Sequence, residues 1–317
     1  MKIINILYIV IILAISIYLQ LIYISYKEYS EKKTNPLFKP ETYNIIGKFT
    51  YDSISLNSEN PIDNIYLSLV FPAYNENERL EIPLKETIKY LNTLKISYEI
   101  IIVNDGSKDN TFEIINKIIK ENPNNKIIGV TYSKNGGKGY AVKTGMQYVR
   151  GKYALMLDSD GATDIRDYEN LLKEIKGKEK SIAIGSRKIN LENVERVWYR
   201  DIMGRINNII VQNIIGIKGI KDTQCGFKLF SRSAARIIFK NMHIVRWAFD
   251  VDLLYICNKS NISVKEVPVT CKDVPGSKLV VITATISFFR DYFAMITFYN
   301  IGIWKVDLRE EFINGNI

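Results

Sequence analysis

The run Tyr153-Ala-Leu-Met-Leu157, followed at once by Asp158-Ser-Asp160, constrains this chain more than any other stretch. Apolar residues with no charge among them fit a short strand covered on both faces, as in a parallel sheet between helices. Two carboxylates then leave the strand end. On an extended chain, residues two apart project to the same side. Carboxylates that close repel each other unless a cation offsets them. Oxygen ligands at a strand end suit Mg²⁺ or Mn²⁺ carrying a diphosphate. Asp and Gly are also turn residues, so the pair taken alone more often marks a solvated turn. Its neighbours along the chain decide between the two.

Those neighbours alternate in period. Tyr66–Phe71, Tyr98–Val103, Ile127–Thr131 and Ser181–Ile184 read as further strands. Glu81–Leu94, Thr111–Glu121, the segment from Gly139 to Val149 and Asp167–Lys176 read as helices, with Asp109 or Asn110 capping the second. Strands alternating with helices give a mostly parallel sheet with helices on both faces, an α/β class. Polar signatures follow the strands and never precede them: Tyr74 and Glu76, Asp105 and Gly106, Gly137 and Lys138, Asp158 and Asp160, then Arg187. In open α/β sheets, ligands bind beyond the carboxyl ends of the strands. Five consecutive strand ends carrying such residues are a poor match to unrelated loops.

Ile3–Ile24 is apolar but for Asn5, Ser16 and Gln20, long enough for the roughly 20 residues that a bilayer crossing needs. The apolar core outruns that of a cleaved signal and no small-residue cleavage pattern follows, so residues 1–26 read as a retained anchor. Lys27, Lys32, Lys33 and Lys39 behind it outweigh Lys2 in front, which places the following domain in the cytosol. Residues 27–64 are polar and turn-rich, with Pro36, Pro40 and Pro61, and read as a linker to a folded domain at 65–278. Lys and Arg outnumber Asp and Glu by 43 to 34, a net charge of +9, which favours anionic partners. The basic residues are dispersed, so nucleic acid is not among those partners. Cys225, Cys257 and Cys271 lack zinc spacing and fit free thiols in a reducing compartment. The single histidine, His243, excludes multi-histidine sites and reads as structural.

The strings F-P-A-Y-N-E (71–76), N-D-G-S (104–107), D-S-D (158–160) and G-S-R (185–187) resemble those of the inverting family 2 glycosyltransferases of GT-A fold. G-K-G-Y-A-V-K-T-G-M (137–146), D-G-A-T (160–163), D-T-Q-C-G-F-K-L-F (222–230), R-W-A-F-D-V-D-L-L-Y-I (246–256) and G-S-K-L (276–279) narrow the resemblance to the dolichyl-phosphate β-glucosyltransferases. The resemblance implies a Rossmann-like GT-A domain behind an N-terminal transmembrane helix in the endoplasmic reticulum membrane. It implies transfer of glucose from UDP-glucose to dolichyl phosphate with inversion, giving dolichyl β-D-glucosyl phosphate for N-glycan precursor assembly, with Mg²⁺ or Mn²⁺. On this reading Pro72, Ala73, Tyr74 and Glu76 line the uridine site. Asp105 reads the uracil, a carboxylate suiting the imide N–H and the Tyr74 ring suiting stacking. Lys138 sits in a phosphate cradle, Asp158 holds ribose and metal, and Asp160 is the surer metal ligand. Arg187, Lys228, Arg232, Arg246 and Lys278 are candidates for the acceptor phosphate. Asp222, Arg187 and Asp158 form the catalytic set. Asn104 stands where the family usually has Asp, and Ser159 where it has Ala.

A phosphate monoester is already anionic near neutral pH, so the acceptor needs alignment and desolvation more than a strong base. Asp222 is therefore expected to position glucose or the nucleophile. Trp198–Ile215 and Leu279–Trp304 mix apolar and charged residues and read as amphipathic helices in the membrane interface, the second within a C-terminal region at 279–317. Core or dimer helices share that pattern, which leaves a homo-oligomer open. Two other activities stay open at this point. One is a polyprenyl- or dolichyl-phosphate mannosyltransferase using GDP-mannose. The other is a catalytically inactive nucleotide-sugar-binding membrane protein, invited by Asn104.

Overall fold

The computed structural model describes residues 2–34, 64–187, 209, 211–212, 216, 219–272 and 281–309. Most of Trp198–Ile215, and Lys278, lie outside the described residues. Helix α1 spans Lys2–Thr34. Its stretch Tyr8–Glu31 is, among the described residues, the one helix long and apolar enough to cross a membrane. The helix runs past residue 26, so the first part of the expected linker belongs to it, and residues 35–63 lie outside the described residues.

Seven strands form one mixed sheet: β1 (Leu67–Ala73), β2 (Tyr98–Asn104), β3 (Lys126–Thr131), β4 (Tyr153–Leu157), β5 (Ser181–Ser186), β6 (Phe227–Ser231) and β7 (Ser263–Pro268). Their order is β3-β2-β1-β4-β6-β5-β7. The β1–β2, β1–β4, β2–β3 and β5–β7 pairs are parallel, whereas β6 runs antiparallel between β4 and β5. Period-two alternation assigns side chains to the two faces. On β2, Ile100 and Ile102 join one core while Ile101 and Val103 join the other.

The first core is closed by α2 (Glu81–Thr93), α3 (Thr111–Glu121) and α5 (Tyr168–Ile175), through Leu84, Ile118 and Leu171 among others. The second is closed by α4 (Lys138–Gln147), α6 (Arg232–Asn241), α7 (Phe249–Lys259) and α8 (Val281–Asn300). Strands buried on both faces must be apolar throughout, which is why β1, β2, β4 and β5 stand out in the sequence.

Helix α8 is part of this second core: Tyr292, Ala294, Met295 and Phe298 are buried in it, while Ile286 and Phe293 stay exposed. It also packs on α1, with Tyr18 edge-on to Phe293 at 5.7 Å and Tyr26 to Phe298 at 6.2 Å. His243 is structural, as expected: its ring stacks on buried Trp304 at 4.8 Å and meets the Tyr299 hydroxyl at 3.1 Å.

Candidate active site

Because β1, β2, β4 and β5 are mutually aligned, their following loops gather at one end of the sheet. The β1 and β2 loops are laced together. Asn75, in the left-handed region at φ 54°, receives a bond on its side chain from Lys108 N (2.8 Å) and donates its own N–H to Ser107 Oγ (2.9 Å). Glu76 N donates to Thr111 Oγ1 (2.7 Å), at the start of α3. The Glu76 carboxylate is held by Arg79 at 2.7 and 2.8 Å. Pro72 and Ala73 are buried strand residues, and Tyr74 is the first exposed side chain of this loop.

Asp105 is buried, and both its oxygens are engaged. Gly136 N donates to Oδ1 at 2.6 Å, and Gly137 N and Asn135 Nδ2 donate to Oδ2 at 2.9 Å. A carboxylate so committed organises the loop that opens α4, and these three bonds take up most of its roughly four acceptor sites. Asn104 is likewise buried, bonded to Thr131 Oγ1 and accepting from Ser107 N. The amide donates to one and accepts from the other, so Asn104 ties the end of β3 to the loop after β2.

The loop that Asp105 holds delivers Lys138 to the end of β4. Lys138 Nζ lies 2.6 Å from Asp158 Oδ1 and 2.8 Å from Oδ2. Burial pushes the lysine pKa down, but the carboxylates of Asp158, Asp250 and Asp160 outweigh it and hold the ammonium above its ordinary value. The exposed ring of Trp247 has its centroid 6.0 Å from the same nitrogen. Asp158 Oδ1 is buried and takes no aligned hydrogen bond. Asp160 Oδ1 accepts from Ala162 N at 3.0 Å, because the chain turns after Asp158 rather than staying extended. Ser159 is buried between the two partly exposed carboxylates. Gly226 closes the site from beneath: a Cβ there would lie 1.9 Å from Asp158 Oδ2.

Arg187, just past β5, meets Asp222 in a two-point ion pair, and Asp222 is oriented by Glu266 of β7, whose Oε1 accepts from Asp222 N at 2.8 Å. Gly226 and Glu266 are the positions that sequence reasoning missed. Gly226 had a signal, a glycine directly before a strand in a recognised string. Glu266 had none.

Two expected acceptor-phosphate residues, Lys228 and Arg232, are placed otherwise, whereas a third, Arg246, is not. Lys228 is fully buried, and its ammonium is spent on Asp250 Oδ1 (2.7 Å) and the Cys225 carbonyl (2.5 Å). Burial raises the Asp250 pKa, against the opposing pull of Lys228 and Lys138. Arg232 sits at the far end of the sheet, bonded to the Arg150 carbonyl beside the buried Arg150–Glu99 pair. The antiparallel run of β6 puts it there: Phe227 faces Leu157 at the site end, and Ser231 faces Tyr153 at the other. Arg246 is at the site end, against Gly137, and its Nε donates to Glu28 of α1.

For a divalent ion the chain offers the two carboxylates at the β4 end. No cluster of three or more His, Cys, Asp or Glu suited to a metal occurs among the described residues. The two partly exposed carboxylates Asp158 and Asp160 fit an ion that draws its remaining ligands from a diphosphate.

The glycosyl transferase family 2 model matches residues 68–239. The chain is 44% identical over 262 residues to the dolichyl-phosphate β-glucosyltransferase of Dictyostelium discoideum, covering 79% of this chain and 80% of that one. The human protein of the same name is 37% identical, covering 76% and 78%, and that of Saccharomyces cerevisiae 36%, covering 79% and 80%. Among solved structures, glucosyl-3-phosphoglycerate synthase from Mycobacterium tuberculosis with UDP superposes with a TM-score of 0.54 at 15% identity, over 74% of this chain and 80% of that one. The same enzyme with Mn²⁺ and UDP-glucose gives 0.51, over 77% and 84%. These structures share the fold. With the relatives' identity and coverage, the chain belongs to glycosyltransferase family 2 and, within it, to the dolichyl-phosphate β-glucosyltransferases.

Proposed function

We propose that the chain transfers glucose from UDP-glucose to dolichyl phosphate with inversion, at the carboxyl ends of β1, β2, β4 and β5. The observation that carries this reading is the Lys138–Asp158–Asp160 group, two carboxylates at the end of β4 with one ammonium held against them. Tyr74 offers a ring face to the base, and Trp247 offers one to the sugar. Asp160 and Asp158 would hold Mg²⁺ or Mn²⁺, which would supply Lewis-acid neutralisation of charge on the UDP leaving group. Lys138 adds a fixed positive charge beside the diphosphate. Arg187, aimed by Asp222, presents its guanidinium to anionic oxygens, and the half-exposed side chain gives it access. The lipid phosphate attacks the anomeric carbon without a general base, since its oxygens are already ionised.

The anchor places this site beside a membrane. The lysines that follow the apolar stretch support a cytosolic domain, and the relatives' role supports the endoplasmic reticulum. The direct test is transfer of labelled sugar from UDP-glucose and from GDP-mannose to dolichyl phosphate, with Mg²⁺, Mn²⁺ or EDTA and with Asp160→Ala alongside. Glucosyl lipid from UDP-glucose alone, lost with EDTA and in the variant, is expected. Transfer from GDP-mannose, or no transfer while UDP-glucose still binds, overturns the reading.

A further inference from the structure

Where the last turns of α1 meet α8 and the segment before α7, a small, partly open pocket of ≈ 20 Å³ is walled by Ser25, Glu28, Arg246, Arg290, Asp291 and Trp304. Glu28 bridges two guanidiniums there. Arg246 Nε donates to its Oε1, and Arg290 Nη2 stands 3.0 Å from its Oε2. Arg290 is also held by Asp291 Oδ1, at 2.9 and 2.7 Å. Three buried polar atoms in these walls have no hydrogen-bond partner: Ser25 Oγ, Asp291 Oδ2 and Trp304 Nε1. Buried polar atoms are rarely left so: the Ser25 hydroxyl and the Trp304 N–H are free to donate to an occupant, whereas Asp291 Oδ2 is an acceptor whose charge is offset by Arg290. Two guanidiniums converging on a single oxyanion are the arrangement that receives a phosphate.

Position adds to this. Ser25 and Glu28 directly follow the apolar stretch that ends at Ile24, so the pocket lies at headgroup depth when α1 crosses a bilayer. On its other side Arg246 stands against Gly137, next to the lysine that holds Asp158. As it stands the pocket is the size of one water, but the Glu28 side chain is 18% exposed and has a path out.

We propose that this pocket receives the phosphate of the lipid acceptor, a polyprenyl phosphate monoester. Arg246 and Arg290 bind it, Ser25 and Trp304 donate to it, and Glu28 occupies the two guanidiniums until it arrives. Exchange of one oxyanion for another keeps the partly buried Arg290 and the more exposed Arg246 paired throughout. The inference rests on the proposed function for the identity of the acceptor, and it makes α1 part of the acceptor site as well as an anchor.

The test titrates the full chain, in detergent, with a short-chain prenyl phosphate, the matching prenol and inorganic phosphate, in the wild type and in Glu28→Gln, Arg290→Gln and Arg290→Lys. Prenyl phosphate is expected to bind and prenol not. Arg290→Gln should weaken binding by about tenfold or more, with partial recovery in Arg290→Lys. Glu28→Gln should tighten it several-fold, and UDP-glucose binding should be the same throughout. If Glu28→Gln weakens prenyl phosphate binding as Arg290→Gln does, the cluster is only a clamp on the anchor and the proposal fails. It fails too if inorganic phosphate binds as tightly as the lipid phosphate. Because binding is read without sugar transfer, a chain that binds prenyl phosphate here but transfers nothing overturns the reaction and keeps this site. An active chain whose acceptor binding ignores Arg290→Gln overturns the site alone.

Discussion

Arg187 and Asp222 are joined at two points, Nε 2.7 Å from Oδ2 and Nη2 2.8 Å from Oδ1, and the Arg187 backbone N–H adds a third bond to Oδ2 at 3.0 Å. The carboxylate is buried while the guanidinium is 40% exposed. That hydrogen-bonded carboxylate holds the arginine's pKa above its ordinary value, so the cation is permanent at any working pH. Asp222 thus spends its lone pairs on orienting Arg187 and has little capacity to take a proton from an acceptor.

Asp222→Asn keeps the shape and removes the charge. We expect kcat to fall by about 10- to 100-fold, as when one preorganised electrostatic contact is lost. The pH–rate profile between pH 6 and 8 should keep its shape. Loss of a limb of that profile in the variant would instead mark Asp222 as a general base. Rates over that range, measured with saturating UDP-glucose, decide the point.

Gly226→Ala tests the floor of the site. The new methyl would sit 1.9 Å from Asp158 Oδ2, and neither the strand that follows nor the carboxylate can yield that far without breaking the Lys138 contact. Displacements of about 1 Å in a reacting assembly cost on the order of 10²-fold. We expect at least that loss in kcat/KM, with UDP-glucose affinity reduced and a cooperative melt retained. Wild-type kinetics in Gly226→Ala would show that Asp158 is free to move and is not a fixed ligand.

The Lys228–Asp250 pair makes a prediction about stability. Both side chains are buried, and the ammonium makes two short contacts. Removing one partner strands a buried charge, at about 3–5 kcal/mol. Lys228→Met and Asp250→Leu should each destabilise by that order, and the double substitution by clearly less than their sum. Denaturant unfolding of the four proteins measures the coupling. Additive losses would mean that the two charges do not depend on each other.

These cases show which parts of the chain were legible. β1 to β5 and α2 to α5 announce themselves because each is apolar on a strict period and bounded by turn residues. The loops after them could be ordered as a site because parallel strands share an end. β6 could not be read, because Lys228 interrupts its apolar run and is satisfied by a carboxylate 22 residues further on. With β6 unread its antiparallel direction was unknown, and Arg232 seemed close to Lys228 when the strand carries it to the opposite end of the sheet. Asp105 was legible as a functional position, but its hold on the α4 loop was not, since nothing in N-D-G-S says that the carboxylate turns back onto Gly136 and Gly137. The pairing of α1 with α8 through Glu28 and Arg290 joins positions far apart in sequence and leaves no local pattern.

The thiols give the last prediction and test the packing of the second core. Cys225 and Cys257 are buried, and Cys271 is exposed. Burial pushes the Cys225 thiol up to about 11, more than the opposing charges of Lys228 and Arg187 recover, and burial pushes Cys257 up as well. The thiolate is the reactive form, so both should be inert near neutral pH while Cys271 reacts at an ordinary rate. One equivalent of a maleimide should therefore add quickly to the native chain, at Cys271 by peptide mapping, and two more only on unfolding. Lys228→Met removes a charge that lowers the Cys225 thiol pKa, so Cys225 should label no faster in the folded variant than in the wild type. Rapid labelling of Cys257 in the native wild type would mean that α7 does not pack against the sheet as described, and with it the placement of Asp250 beneath Lys138 would fall.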